Sequence, residues 1–369
     1  MPCRLGIATM SLGRCYAGHS LKHKLSMAAK HGIEGIELFY EDLVDYSGSD
    51  SPSALLEGAA SVRNLCSSLG LTIICLQPFL HYDGLLDRQK HEERIEEMKL
   101  WMKLAKVLQT DIVQVPATFL PADQTSSDTK LIVSDLREIA DLGLQQSPVI
   151  RIAYESLCWS THVDRWETCW DIISQVDRSN FGICLDTFHI LGTLYGDPAS
   201  TTGKHPDGEK RLSESIQRLV DRIKPHREKI FFIQVADGER LERPLIAGHE
   251  FYNADQPTLM SWSRNCRLFY GETAHGAYMP VIDVAHAIIN EIGYDGWVSM
   301  ELFNRLMNST DESVVEELAE RAAISWKKLQ HDLEIFAGVQ HGLLKSASLQ
   351  NRVELEITNS SRGANFSRL

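Results

Sequence analysis

The sequence lacks the features that mark several classes of protein. It contains no uncharged apolar run near the ~20 residues that a membrane-spanning helix requires. Its eight cysteines include no Cys-x-x-Cys pair, so their spacing favours neither a zinc site nor a disulfide framework. It also lacks an excess of basic residues, because 37 Lys and Arg stand against 50 Asp and Glu, which disfavours a nucleic-acid binder. We therefore expect a soluble, cytoplasmic protein in a reducing compartment that binds neither membranes nor nucleic acids.

The composition that is present is typical of a globular protein with a substantial core, since 43% of the 369 residues are apolar and 24% are charged. Short β-rich runs recur, and each is followed by a segment with the spacing of an amphipathic helix. The runs are Leu5–Met10, Gly35–Phe39, Thr72–Gln77, Ile112–Val115, Val149–Glu155, Phe181–Asp186, Ile230–Val235 and Trp297–Glu301. Eight such units over about 340 residues predict an α/β protein with the (β/α)8 TIM-barrel fold.

The predicted helices lie between these runs. Ser20 is expected to cap the first helix, and Gly32 is expected to end it. The other helices are predicted near 55–69, 95–105, 129–142, 161–176, 212–223, 281–292 and 312–336. Two stretches, 195–210 and 236–276, interrupt the repeat and are predicted to be long loops over the barrel mouth. We therefore expect a single barrel over 1–343, followed at 344–369 by a mobile tail that is rich in Ser, Asn and Arg.

Four consecutive predicted strands end in side chains that carry oxygen. These side chains are Glu155, Asp186, Gln234 and Glu301. All strands of a parallel barrel point the same way, so the four groups are expected to converge at one rim. A polar residue at one strand end can instead face solvent or cap a helix, but three carboxylates brought together repel one another unless a cation holds them ionised. The pattern of four favours a site for Mg²⁺ or Mn²⁺, and it also admits Co²⁺.

His189 follows Asp186 by three residues and therefore belongs to the same rim. Histidine titrates near neutral pH and can act as a general base or acid, which makes His189 the candidate catalytic group. The same position also fits an additional metal ligand, or a loop histidine that is hydrogen-bonded to the backbone. Glu37, at the end of the second run, is either another rim residue or a buried structural one.

Several other residues are candidates for substrate contacts. Gln77, His81 and Arg88 follow the third strand and could face the site, although lone side chains of these types are often solvated. Arg264 and Arg267 lie in the predicted long loop after the seventh strand, where a guanidinium group can pair with the carboxylate of an anionic substrate. A surface ion pair is the alternative role for both arginines.

These residues resemble the xylose-isomerase-like barrel superfamily, in which Glu, Asp, His or Gln, and Glu from late strands bind a divalent metal. The signatures of its second and eighth strands are similar to the segments 32–38 (GIEGIEL) and 293–301 (GYDGWVSME). The likeness spans nearly the whole barrel. It implies a metal bound by four residues, with His189 beside them. The implied ligands are Glu155, Asp186, Gln234 and Glu301.

Within that superfamily, the sequence resembles the fungal-type 3-dehydroshikimate dehydratases of quinate catabolism. The similar segments are 5–13 (LGIATMSLG), 76–79 (LQPF), 233–237 (IQVAD) and 262–264 (WSR). Glutamine at the third ligand position, where sugar isomerases of this class commonly have histidine, favours the dehydratases. The resemblance implies a hydro-lyase that converts 3-dehydroshikimate, a small anionic substrate, to protocatechuate and water. The arginines implied for the substrate carboxylate are Arg88, Arg264 and Arg267.

Three other functions stay open. A sugar isomerase or epimerase on the same barrel would use the metal to polarise a carbonyl, but an uncharged sugar gives no role to arginines at the rim. An abasic-site endonuclease shares the fold, yet it should present a basic groove and several histidine ligands, which the net charge of −13 disfavours. A non-catalytic ligand sensor could keep the metal pocket, although the presence of all four ligands and His189 argues against it.

Overall fold

Residues 3–334 are described by a computed structural model. Its eight parallel strands are β1 (Arg4–Ala8), β2 (Gly35–Phe39), β3 (Thr72–Gln77), β4 (Ile112–Pro116), β5 (Arg151–Glu155), β6 (Phe181–Asp186), β7 (Ile230–Val235) and β8 (Trp297–Met300). They close into a barrel in the order β1-β8-β7-β6-β5-β4-β3-β2. The predicted (β/α)8 fold is therefore confirmed, and every predicted run overlaps one strand. The predicted tail at 344–369 lies outside the described residues.

The helices surround the barrel. They are α1 (Leu21–Lys30), α2 (Tyr40–Ser47), α3 (Pro52–Ser68), α4 (Arg88–Leu108), α5 (Thr129–Leu144), α6 (Trp166–Val176), α7 (Thr187–Leu194), α8 (Gly208–Ile223), α9 (Thr258–Cys266), α10 (Val281–His286) and α11 (313–334). A π-helical turn, Ala287–Glu291, continues α10. Ser20 caps α1 as predicted, because its side chain accepts the backbone N–H of His23 at 3.4 Å. Within 3–334, no helix is both long enough and apolar enough to cross a membrane.

Three of these helices differ from the sequence-based expectation. The predicted loop at 236–276 contains α9. The helix α2 lies where the sequence predicts no helix, and it begins directly after β2 without a capping side chain. The segment 187–194 (TFHILGTL) forms α7, in which seven of the eight residues are buried. A helix that is buried on nearly every side shows no amphipathic period, so the pattern that identified the other helices is absent from α7.

The strands place one set of side chains inside the barrel. An apolar cluster that is separate from the main core includes Ala153, Cys184 and Phe232 of β5, β6 and β7. Residues two positions apart on a strand point to the same face. Glu155, Asp186 and Gln234 follow these three residues by two positions, so they extend from the same interior face toward the carboxyl end of the barrel.

A buried carboxyl group, Asp83, holds the connection between β3 and α4. Its Oδ1 accepts the backbone N–H of Thr118 at 3.0 Å, and its Oδ2 accepts the hydroxyl of Tyr154 at 2.9 Å. Burial raises the pKa of Asp83 from its usual value of 3.8 to about 6, and these hydrogen bonds offset only part of that shift. The side chain therefore ties two loops at the carboxyl end of the barrel to β5, and its ionisation opposes folding.

The raised pKa of Asp83 predicts a stability contribution that falls as pH rises. Between the unfolded-state pKa near 4 and the folded-state pKa, the folded protein retains a proton that the unfolded chain has lost, which costs about 3 kcal/mol by pH 7. Asp83→Asn keeps an acceptor for Thr118 and removes the titration. We expect the Tm of the variant, relative to wild type, to rise by several degrees between pH 4 and pH 7 in thermal unfolding. Exposed Asp123 supplies the control substitution, Asp123→Asn, and an equal Tm difference for Asp83→Asn at both pH values would contradict the raised pKa.

Candidate active site

The structure brings the four predicted metal ligands together at the carboxyl end of the barrel. Glu155, Asp186, Gln234 and Glu301 are between 0% and 4% exposed. Asp186 and Gln234 are paired across β6 and β7 in the sheet register. The amide Nε2 of Gln234 donates to Oε1 of Glu301 at 3.0 Å. Convergence at one rim therefore holds for all four side chains, as the parallel strands require.

Arg267 supplies positive charge among these acids. Its Nη1 donates to Oδ2 of Asp186 at 2.7 Å and to Oε2 of Glu301 at 3.0 Å, and the residue is 1% exposed. The ring centroids of Phe188 and Phe303 lie 4.4 and 4.9 Å from the central guanidinium carbon. Arg267 follows α9 directly and pairs in a short antiparallel ladder with the segment after β7, which fixes its position. The guanidinium is a buried ion-pair partner, so the surface ion pair considered for it does not apply.

Another buried carboxyl group, Glu37 of β2, joins the cluster through two amides. Gln77 Nε2 and Gln234 Nε2 donate to Glu37 Oε2 at 2.7 and 2.9 Å. Gln77 also lies 3.4 Å from Glu301 Oε1, so the amides bridge the two glutamates. The Oε1 of Gln234 accepts the thiol of Cys184 at 3.3 Å. In this orientation, the amide nitrogen of Gln234, and not its oxygen, faces the carboxyl groups.

Burial makes the charged form of these carboxyl groups costly. It raises the pKa of Glu37 to about 8 and that of Glu301 to about 7, and it also raises the pKa values of Glu155 and Asp186. Neighbouring carboxylates raise the pKa values of Glu37, Glu155 and Glu301 further, whereas the charge of Arg267 lowers those of Asp186, Glu155 and Glu301. One guanidinium cannot balance four ionised carboxylates, so the site either retains protons or takes up additional positive charge.

His189 is held at the floor of the site by α7. Asp186 caps this helix, because its Oδ1 accepts the backbone N–H of Phe188 at 2.6 Å, and His189 therefore lies one turn into the helix. The backbone N–H of Cys158 donates to His189 Nδ1 at 3.1 Å, and Nη2 of Arg267 lies 3.0 Å from Nε2. Two donors thus face the ring. Burial, together with the charge of Arg267, lowers the pKa of His189 well below its usual value, so the imidazole is neutral at pH 7.

Three of the side chains are close enough to share one cation. The ligand atoms of Glu155, Asp186 and His189 all lie within 4.8 Å of one another. Glu155 Oε2 accepts the amide of Gln114, but its Oε1 is buried and has no hydrogen-bond partner among residues 3–334. An unpartnered buried carboxylate oxygen beside two other donors fits a divalent cation, which would satisfy it. The donor set differs from the predicted one, because His189 belongs to the closest group whereas Gln234 and Glu301 lie beside it with other partners.

A cavity of about 600 Å³ opens above these side chains, large enough for a small ring-shaped metabolite. Of the residues that the sequence singled out, it is lined by Gln77, Glu155, His189, Arg264, Arg267 and Glu301. The lining is mixed, since polar groups of the floor meet the aromatic rings of Phe119, Trp159 and Phe303. Among the described residues, this cavity is where the acids, His189 and the arginines meet.

Two candidates for substrate contacts lie outside the cavity lining. Arg88 begins α4, its side chain is 45% exposed, and its two terminal nitrogens bind the carboxylate of Asp135 at 2.8 and 3.2 Å. His81 packs edge-on against Phe119, with ring centroids 4.3 Å apart, and burial lowers its pKa to about 4. A substrate contact for Arg88 stays a prediction that this geometry does not support. His81 contacts the cavity lining through its neighbour Phe119.

The cavity also contains residues that the sequence reasoning missed. Gln114 is an amide inside the buried strand β4, and a polar residue in an apolar run was a usable signal for it. Trp159 lies four residues beyond Glu155, and its ring centroid is 4.7 Å from that of His189. Arg14 lies in the connection after β1, and no local pattern marks it as a site residue.

Comparison with known proteins agrees with this fold and site. The xylose isomerase-like TIM barrel family matches residues 25–326. A 3-dehydroshikimate dehydratase of Neurospora crassa is 55% identical over 345 residues, which cover 91% of this chain and 96% of that protein. A 3-dehydroshikimate dehydratase of Pseudomonas aeruginosa is 32% identical over 301 residues, covering 81% of this chain but only 38% of that protein. A solved structure of a xylose isomerase-like TIM barrel/4-hydroxyphenylpyruvate dioxygenase fusion protein has 27% identity and a TM-score of 0.70, covering 92% of this chain and 44% of that one.

The buried position of Arg267 predicts a large effect on stability. Arg267→Met removes the guanidinium and leaves Asp186 and Glu301 without their cation, so we expect a loss of about 3–5 kcal/mol in unfolding free energy at pH 8. The loss should be smaller at pH 5, because Glu301, whose pKa is raised to about 7, is then protonated and needs no cation. Urea denaturation in the presence of a chelator measures both values, with the exposed Arg243→Met as the control. If Arg267→Met is as stable as that control at pH 8, the assigned ion pairs do not stabilise the fold.

Proposed function

The chain belongs to the xylose isomerase-like TIM barrel family, and on that premise we propose that it is a metal-dependent 3-dehydroshikimate dehydratase of quinate and shikimate catabolism. The reaction is the elimination of water from 3-dehydroshikimate to give protocatechuate. One observation carries the proposal, which is the 55% identity to the Neurospora dehydratase over 91% of the chain. The aligned region includes the strands that bear the acids, and it also includes the segments that contain His189 and Arg267. The cavity above them has the size for a substrate with a single ring.

In this elimination, a ring C–H proton and a ring hydroxyl leave as water and give a cyclohexadienone. Transfer of a second ring C–H proton to the ketone oxygen then completes the aromatic ring. His189 is proposed to accept the proton at Nε2 and to return it to the departing hydroxyl, so that the proton balance closes on one residue. Acceptance at Nε2 requires the tautomer with its lone pair there and its hydrogen on Nδ1, so the contacts of the ring with the Cys158 N–H and with Arg267 Nη2 must both be released before the proton is taken. The lowered pKa of His189 keeps the ring neutral before the reaction and favours the return of the proton afterwards.

A divalent cation is proposed to bind among Glu155, Asp186, Gln234 and Glu301, with His189 beside them. When bound, the cation supplies Lewis-acid polarisation of the substrate ketone. Gln234 would contribute through Oε1 after a rotation of its amide, because in the described orientation Oε1 accepts the thiol of Cys184 and Nε2 faces Glu37 and Glu301. Oxygen-rich ligands suit Mg²⁺ or Mn²⁺ and also admit Co²⁺. Arg267 balances part of the remaining negative charge and holds Asp186 and Glu301 in place.

Metal dependence and activity are tested in one assay. Purified protein with 3-dehydroshikimate and Mn²⁺ or Mg²⁺ should form protocatechuate, detected by chromatography; chelation should abolish the reaction, and added metal should restore it. Glu155→Gln should bind Mn²⁺ at least about tenfold more weakly in calorimetry because it loses a charged ligand, whereas the exposed Glu320→Gln should bind like wild type. Full turnover by a verified metal-free preparation would refute the metal dependence. Absence of protocatechuate with every metal would refute the proposed function, and turnover of an uncharged sugar instead would favour the isomerase alternative.

The role of His189 is separable from that of the metal ligands. We expect His189→Ala to retain Mn²⁺ affinity but to lose roughly 10²–10⁴-fold in kcat, because a positioned general base contributes about that factor. A parallel loss of Mn²⁺ affinity would identify His189 as a ligand, and a fall in Tm without a fall in kcat would identify a structural role. Near-wild-type kcat with full metal occupancy would overturn the assignment.

A further inference from the structure

Two guanidinium groups lie near the mouth of the cavity, away from the acidic floor. Arg14 follows β1, and Arg264 lies in the last turn of α9. Both line the cavity, and both are more exposed than Arg267, which is fully engaged by the floor acids. The cavity therefore has a floor of buried acids around Arg267 and an entrance that carries two further guanidinium groups. An anionic substrate meets the favourable charge first.

The hydrogen bonds of the two residues leave capacity for a ligand. Arg264 donates through Nη1 to the amide oxygen of Gln256 at 3.2 Å, and no carboxylate within residues 3–334 pairs with it. Arg14 has one carboxylate partner, Glu41, at 2.8 Å. Its Nε is buried and makes no hydrogen bond within the described part of the chain. Each terminal nitrogen of Arg14 carries two N–H groups and makes one contact, Nη1 with the sulfur of Met10 at 2.7 Å and Nη2 with Glu41, so a ligand carboxylate that reaches the remaining N–H groups gains a charge-assisted hydrogen bond.

Arg14 is also held in place. Its backbone N–H donates to the carbonyl of Met307 at 3.0 Å, which fixes the segment after β1 against the segment after β8. Its guanidinium carbon lies 5.0 Å from the ring centroid of Tyr16. Both guanidinium groups line the same cavity, and burial together with the charge of Arg14 lowers the pKa of Arg264. An anion between them offsets the repulsion of the two like charges.

We propose that Arg14 and Arg264 together bind the carboxylate of the substrate at the cavity entrance, an assignment that rests on the proposed function. The carboxylate of 3-dehydroshikimate is attached across the ring from the carbons that carry the ketone and hydroxyls. With the carboxylate at the entrance, the reacting carbons point to the floor, where His189 lies. The sequence analysis assigns the substrate carboxylate to Arg264 and Arg267. In the structure, Arg267 binds Asp186 and Glu301, so Arg14 takes its place beside Arg264 in this proposal. Arg14 is thereby a specificity-determining residue.

The test compares two ligands that differ only in the carboxylate. Protocatechuate, the reaction product, carries it, and catechol has the same diol without it. We expect Arg14→Met and Arg264→Met each to raise the KM for 3-dehydroshikimate and the inhibition constant of protocatechuate by about tenfold or more, since each loses a charge-assisted hydrogen bond. The inhibition constant of catechol should stay within about twofold, and Arg14→Lys should recover part of the protocatechuate affinity. Arg243→Met, an exposed arginine outside the cavity lining, should match wild type in every measurement.

The outcomes separate this assignment from the proposed function. If wild type forms no protocatechuate from 3-dehydroshikimate, the proposed function fails and the assignment fails with it. If wild type is active but the variants retain the wild-type preference for protocatechuate over catechol, only the assignment of the two arginines fails. An equal weakening of both inhibitors would show a structural effect of the substitutions and would likewise overturn the assignment.

Discussion

The site is organised by the cost of placing four carboxyl groups inside a barrel, where they are almost entirely removed from water. These groups are Glu37, Glu155, Asp186 and Glu301, and their raised pKa values express that cost. The surrounding residues offset this cost in two ways. Arg267 supplies positive charge, and the amides of two glutamines donate hydrogen bonds to the carboxyl groups. Protons and a bound cation are thus alternative sources of the positive charge that Arg267 alone does not supply. Binding of a cation therefore changes the number of protons that the four carboxyl groups hold.

The sequence predicts the parts of this arrangement that follow from local regularity. Short β-rich runs identify all eight strands, and the strand ends identify the acids, because parallel strands deliver their last residues to one rim. The buried helix α7 has no amphipathic period, and its existence follows from tertiary packing alone. The salt bridge between Arg88 and Asp135 joins segments 47 residues apart, so local sequence says nothing about it. The orientation of the Gln234 amide depends on which neighbours surround it in the folded protein.

Chemistry and recognition are carried by different parts of the chain. The acids and amides belong to strands or stand directly at strand ends, where packing on both sides fixes them to the barrel. Arg14 and Arg264 belong to connections that approach one another only at the cavity entrance. Loops at this end of a (β/α)8 barrel can change while the strands stay the same. A protein of this design can therefore alter the charge it selects for in its ligand without disturbing the reacting groups at its floor.

The thiol of Cys184, which donates to Gln234, has a consequence for chemical durability. Cys184 and Cys75 both lie in the barrel interior, and burial together with nearby carboxylates raises their pKa values well above the usual range. The reactive form of a cysteine is the thiolate, so these side chains remain neutral, weakly nucleophilic hydrogen-bond donors in a region that already holds excess negative charge. An electrophile that enters the cavity therefore meets no reactive thiolate at Cys75 or Cys184. Labelling of these two thiols therefore reports the opening of the barrel rather than events at its active site.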